Sequence, residues 1–121
     1  MFLENILQAK TTEVMVRKAK TPFAQLAKKL AEAPAPRPFR PRLTGDGIRL
    51  IAEIKLASPS KGVLCPNFPP LSLARIYEAS GAAAISVLTE DKFFQGSLRY
   101  LALVKRGTER LPVLQKDFII D

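Results

Sequence analysis

Three short apolar runs recur along the chain: "IRLIAEIK" from residue 48, "AAAISVLT" from 82 and "LPVLQKDFII" from 111. Between them lie "LSLARIYEASG" and "SLRYLALVKRG", apolar at helical spacing and closed by Gly81 and Gly107. This β-α-β-α-β succession predicts a parallel sheet reached by right-handed crossovers and covered by helices. Few folds accept that rhythm. Neither a GxGxxG turn nor the GxxxxGK[ST] spacing of a P-loop follows any of the strands, which argues against the common nucleotide-binding versions.

The first 47 residues read differently. Leu3, Ile6, Leu7, Lys10 and Val14 fall at helical spacing, and Thr21-Pro22 offers an N-cap and first-turn pair for a second helix in "FAQLAKKLAEA". "APAPRPFRPRL" then places Pro34, Pro36, Pro38 and Pro41 within eight residues, which neither a helix interior nor a central strand accepts. It is expected to run extended as a linker that wraps the next unit, in preference to a proline-motif ligand. The expected organisation is a helical extension with its linker over 1–47 and an α/β unit over 48–121.

With 121 residues, 47% hydrophobic and 25% charged, the chain has the composition of a folded domain. It has no histidine and one cysteine, Cys65, which excludes a Cys/His metal site and an internal disulfide and suits a reducing cytoplasm. Glu4 and Lys10 interrupt any signal-peptide core, and no apolar run approaches membrane-spanning length. The net charge of +8 divides into +5 over residues 1–47 and +3 over 48–121. Nucleic acid, a solvated basic face and an anionic small substrate all fit that sign; dispersed charge without interleaved aromatics argues against nucleic acid.

In parallel α/β folds chemistry gathers at the carboxyl ends of strands. Here those ends carry Glu53 and Lys55, then Thr89 with "EDKFFQGS", then Lys116 and Asp117. Alternation puts Glu53 and Lys55 on one face, which points inward if Ala52 and Ile54 pack against helices. Such a pair is either a structural ion pair or an acid/base couple, and Lys116 at an equivalent strand end favours the couple.

"AEIKLASPSKG", "GAAAISVLTEDKFFQGS" and "LPVLQKDFIID" resemble the indole-3-glycerol phosphate synthase family in order and spacing, and the two-helix leader resembles its N-terminal extension. The resemblance implies a (β/α)8 TIM barrel and a carboxy-lyase of tryptophan biosynthesis. That enzyme closes the indole ring of 1-(2-carboxyphenylamino)-1-deoxyribulose 5-phosphate with loss of carbon dioxide and water, and uses no metal or cofactor. It implies Lys116 as general acid, Lys55 as a second catalytic lysine and Glu53 as its proton-handling partner. It also implies Ser58 beside the substrate, and Phe94 and Phe118 as apolar walls for the aryl ring, with core packing the competing reading for both phenylalanines. Ser60, Lys61 and Gly62 are expected to shape a mobile first loop, from which Lys61 could steer an anionic substrate.

A complete barrel takes about 250 residues, so three strands make an incomplete one, the N-terminal part of such a synthase. The third strand would then present an open edge suited to association, and Ile51, Ile85, Val87 and Val113 are expected to keep partly wet faces. Two other readings stay open: a small non-enzymatic basic module that binds anions or nucleic acid, and a half-barrel that associates with a complementing chain.

Overall fold

The computed structural model describes residues 2–64, 66–67 and 69–121; Cys65 lies outside the described residues. The chain forms two compact units, Met1–Ala35 with Phe118–Asp121, and Pro36–Asp117.

The first unit is built from helices α1 (Phe2–Lys20) and α2 (Phe23–Leu30). On α1 the buried positions are Ile6 and Lys10, whereas Leu3 and Leu7 are exposed. The Lys10 Nζ lies 2.8 Å from the Glu13 carboxylate, which also pairs with Arg17 one turn on. Thr21 does not cap α2 as expected. The N-cap position falls one residue later, on Pro22 with ψ 154°, which offers no side-chain acceptor, and the Thr21 N–H donates to Arg17 O at 2.8 Å and closes the last turn of α1. In the same unit Lys18 pairs with Asp121.

The second unit carries the sheet. Strands β1 (Ile51–Ile54), β4 (Ala84–Leu88) and β5 (Val113–Lys116) are parallel and lie in the order β1-β4-β5, so consecutive β-α units pair side by side as their spacing predicts. Each strand begins two or three residues later than its apolar run, because a run counts as strand only where a neighbour completes the ladder. Ile48 is 99% exposed, and pairing opens where Ala83 N donates to Leu50 O at 2.8 Å. Helices α3 (Pro70–Ala79) and α4 (Leu98–Gly107) cover one face; α3 packs on α4 and β1, and α4 on β5.

Alternation divides the sheet. Ala52, Ile54, Ile85 and Val87 join Ala74, Ala82, Val104 and Leu111 in the core under the helices. Ile85 and Val87 are completely buried, contrary to the expectation of wet faces, because their side chains point to the helical layer. Ile51 stays wet as expected, 41% exposed on the opposite face of the sheet, as does Leu114 at 40%, and Val113 is half-buried against the core.

Helix ends follow from local chemistry. Gly81 has φ +91°, and its N–H and that of Ala82 donate to Glu78 O and Tyr77 O, a Schellman closure of α3 that needs the left-handed conformation glycine adopts freely. Ser97 caps α4 by accepting from Arg99 N at 3.1 Å.

The turn that leads into β5 is gripped from two sides. Arg37, in the proline-rich stretch, donates to the carbonyls of Lys105, Thr108 and Leu111 and to Thr108 Oγ1, all between 2.6 and 2.9 Å. Glu78 accepts from the N–H groups of Glu109, Arg110 and Leu111. Burial pushes the Glu78 carboxyl up, but those N–H groups and the charge of Arg37 outweigh it and hold the carboxyl below its ordinary value.

Two stability predictions follow from this turn. Arg37→Ala is expected to lower the unfolding free energy by about 2 kcal/mol, because it strips hydrogen bonds from several carbonyls at once. Glu78→Gln is expected to be less stable than the parent at pH 7, with the gap closing in acid. A lowered folded pKa gives stability that is complete above the ordinary carboxylate value and is lost as the pH falls through the folded one. Urea unfolding of both variants between pH 3 and pH 7 measures each effect.

Candidate functional site

The face of the sheet turned away from the helices carries Glu53, Ser86 and Leu114 on one rung, since Glu53 pairs in register with Ser86 and Ser86 with Leu114. Leu88 and Lys116 form the next rung toward the carboxyl end. Lys55 follows β1 directly at the same end.

These side chains converge on one carboxylate. Lys116 Nζ lies 3.4 Å from Glu53 Oε1, and Lys55 Nζ lies 3.9 Å from Oε2. β1 and β5 are not neighbours; with β4 between them their axes lie about 9–10 Å apart, and the long lysine side chain crosses that gap over the middle strand. Under it, Ser86 Oγ donates to the same Oε1 at 3.3 Å. Glu53 therefore gathers one contact from β4, one from β5 and one from the residue that follows β1. The three charged side chains are 32% exposed at Glu53, 36% at Lys55 and 57% at Lys116, so water reaches all of them.

Ser86 was not singled out in the sequence. It is the lone polar residue in the apolar run "AISVL", on the face of that strand shared with Ala84 and Leu88, which is the signal that marks it. The serine that was singled out, Ser58, is buried in a small antiparallel hairpin of β2 (Ala57–Ser58) and β3 (Gly62–Val63). Its Oγ accepts from Lys61 N at 3.2 Å and lies 3.5 Å from Ser60 Oγ, and Gly62 turns the hairpin with φ +66°. Ser60 and Lys61 thus lie in a hydrogen-bonded turn after the first strand, and Gly62 opens β3.

Phe94 is half-buried in the turn that follows β4. Phe118 follows Asp117 and is half-buried, and it belongs to the helical unit. Asp117 accepts from Thr89 Oγ1 at 2.7 Å, and Thr89 N donates to Lys116 O at 3.0 Å, which ties the ends of β4 and β5 together beside the charged cluster. Among the described residues, no three His, Cys, Asp or Glu side chains group as metal ligands, and no helix is long and apolar enough to cross a membrane.

The exposure of the cluster sets its stability value. Ion pairs open to water contribute about 0–1 kcal/mol, so Glu53→Gln is expected to change the unfolding free energy by less than about 1 kcal/mol, well short of Arg37→Ala. A loss of several kcal/mol in urea would mark the cluster as structural.

Known proteins match the chain along nearly its whole length. The family model described as indole-3-glycerol phosphate synthase matches residues 3–121. A curated relative named indole-3-glycerol phosphate synthase from Desulforamulus reducens is 49% identical over 122 residues, covering 100% of this chain and 46% of that protein. Its namesake in Roseiflexus castenholzii is 52% identical over 126 residues, with 99% and 47% covered. In Campylobacter jejuni subsp. doylei the match is 46% identical over 128 residues, with 100% and 48% covered. The chain thus spans about half the length of the curated relatives it matches. With nearly every residue inside that match, and three parallel strands of the kind a (β/α)8 barrel repeats, the chain belongs to the indole-3-glycerol phosphate synthase family.

Proposed function

We propose that this chain supplies the first three strands and the catalytic lysines of an enzyme that makes indole-3-glycerol phosphate, acting in the cytoplasm. In this reading 1–47 is the helical extension with its linker and 48–121 is the beginning of the barrel. The observation that carries it is the convergence of Lys116 and Lys55 on Glu53 at the carboxyl ends of parallel strands, where barrel enzymes do their chemistry.

The substrate is 1-(2-carboxyphenylamino)-1-deoxyribulose 5-phosphate. Its aryl carbon bearing the carboxylate attacks the ketone carbon, and the carbonyl oxygen takes a proton as the bond forms. Lys116 donates that proton. The carboxylate then leaves as carbon dioxide, and its bonding electrons return to the ring. Loss of the new hydroxyl as water, with loss of a proton from the adjoining carbon, completes the indole. Lys55 holds the substrate anion and assists the dehydration, and Glu53 accepts and returns protons between the two lysines. The chain's net charge of +8 suits a substrate that carries a carboxylate and a phosphate, and no nucleic-acid partner is invoked. β5, paired only with β4 among the described residues, offers its free edge to the strands that complete a barrel.

The expected behaviour of the 121-residue chain alone is no measurable turnover, because three strands cannot hold a phosphorylated substrate in near-attack geometry. Supplying the remaining segment of the Desulforamulus reducens relative in trans should restore product, read by indole fluorescence. In that assembly Lys116→Ala is expected to lower turnover roughly a hundredfold to ten-thousandfold, with a smaller effect on substrate affinity. An unchanged turnover number would remove Lys116 from the chemistry, and robust turnover by the chain alone would refute the need for further strands.

A further inference from the structure

The mechanism leaves Glu90 unused, yet this residue is 2% exposed at the end of β4. Its carboxylate is fully engaged with backbone. Oε1 accepts from Lys92 N at 3.0 Å, and Oε2 accepts from Phe93 N at 2.7 Å and Phe94 N at 3.0 Å. Its own carbonyl accepts from Gly96 N at 2.7 Å. The turn is therefore folded around one buried acid. Its far end is fixed as closely: a Cβ on Gly96 would stand 2.3 Å from Leu88 O, so that residue must be glycine for the chain to return against the strand. Gln95 between them is left-handed at φ 54°. Through Thr89, the same strand end is bonded to Lys116 and Asp117.

A buried carboxylate with three N–H donors is a costly way to close a surface turn, since neutral Asn or Ser side chains cap turns at the surface without burying a charge. What the arrangement adds is rigidity at the backbone of 92–94, and hence a fixed direction for the Cα–Cβ bond of Phe94. We infer that Glu90 is a positioning residue, which holds Phe94 as an aryl-binding wall at the carboxyl end of β4. This rests on the proposed function, in which the ligand's aryl end is an anthranilate ring.

Anthranilate is the probe. It is fluorescent, and the chain has no tryptophan to compete with it. Its binding is titrated with the parent chain, Glu90→Gln, Phe94→Leu and the double variant, alongside amide hydrogen exchange at 92–94. Glu90→Gln, which places an amide N–H against backbone N–H groups, is expected to speed exchange at all three amides. It is also expected to weaken anthranilate binding about three- to tenfold, the range of one aromatic contact. Phe94→Leu should weaken binding to the same degree without changing exchange, and the double variant should bind no more weakly than either single one, since both remove one contact. Contacts between the bound ring and the Phe94 ring, seen as NOEs in the parent chain, test the inference without relying on a variant that folds. A parent chain that binds anthranilate without those NOEs, a Glu90→Gln chain that binds as the parent does, or additive losses in the double variant would each overturn it. A parent chain that binds no anthranilate would overturn the aryl-binding reading of this rim and this inference with it.

Discussion

A parallel ladder gives every strand residue one of two destinations, and in this chain the ladder β1-β4-β5 decides almost everything else. Ala52, Ile54, Ile85 and Val87 go to the helices, where the apolar area they remove from water drives the folding of the second unit. Glu53, Ser86 and Lys116 go to the other face because they occupy the intervening positions. A one-residue slip of β4 would exchange Ser86 for Ile85 beneath Glu53, bury a hydroxyl among the helices and leave the carboxylate over an isoleucine. Core and charged cluster are thus two readings of one register, and the burial of Ile85 and Val87 is what keeps Ser86 under the Glu53 carboxylate.

That coupling explains how far the sequence could be read. The strand-helix rhythm and the strand order follow from the spacing of the apolar runs, the sharing of a face by Glu53 and Lys55 follows from period-two alternation, and each appears in the structure. Lys116 was placed at the same end because parallel strands finish together, and its long side chain covers the distance that the intervening strand imposes. Misreadings arose where alternation alone does not decide. The wet faces expected for Ile85 and Val87 leave out that α3 and α4, packed together on one face, bring Ala74 and Val104 into one core with them.

Other features were illegible because they depend on what a side chain does with backbone far from, or immediately beside, its own position. Nothing in "RPF" announces that Arg37 would satisfy three carbonyls around residues 105–111, since the contact spans some seventy positions of sequence. Thr21-Pro22 carries the composition of a helix start, yet the N-cap position falls on Pro22, whose side chain has no acceptor. The acid of "TED" reads as one more polar residue in a loop, and only the folded turn reveals that its carboxylate is consumed by the three amides that follow. Local composition identifies candidates for such roles; competition for the same donors decides among them.

The two ends of the sheet use charge in opposite ways. Before β5, Glu78 and Arg37 spend their hydrogen-bonding capacity on backbone groups of a single turn, so their charges are saturated by neighbours that cannot leave. At the carboxyl ends, Glu53 meets two lysine ammonium groups at 3.4 and 3.9 Å and one hydroxyl at 3.3 Å, contacts longer than charge-assisted hydrogen bonds at their best. A carboxylate held by loosely engaged, solvent-reached partners can exchange them for a substrate's groups at little cost, whereas the Glu78 carboxylate could do so only by unravelling the entry to a strand. The contrast between Glu78 and Glu53 is therefore one of hydrogen-bond saturation as well as of place along the strands. It accounts for a fold that saturates Glu78 and Glu90 with the backbone turns they hold, and leaves Glu53 on the sheet face with longer contacts.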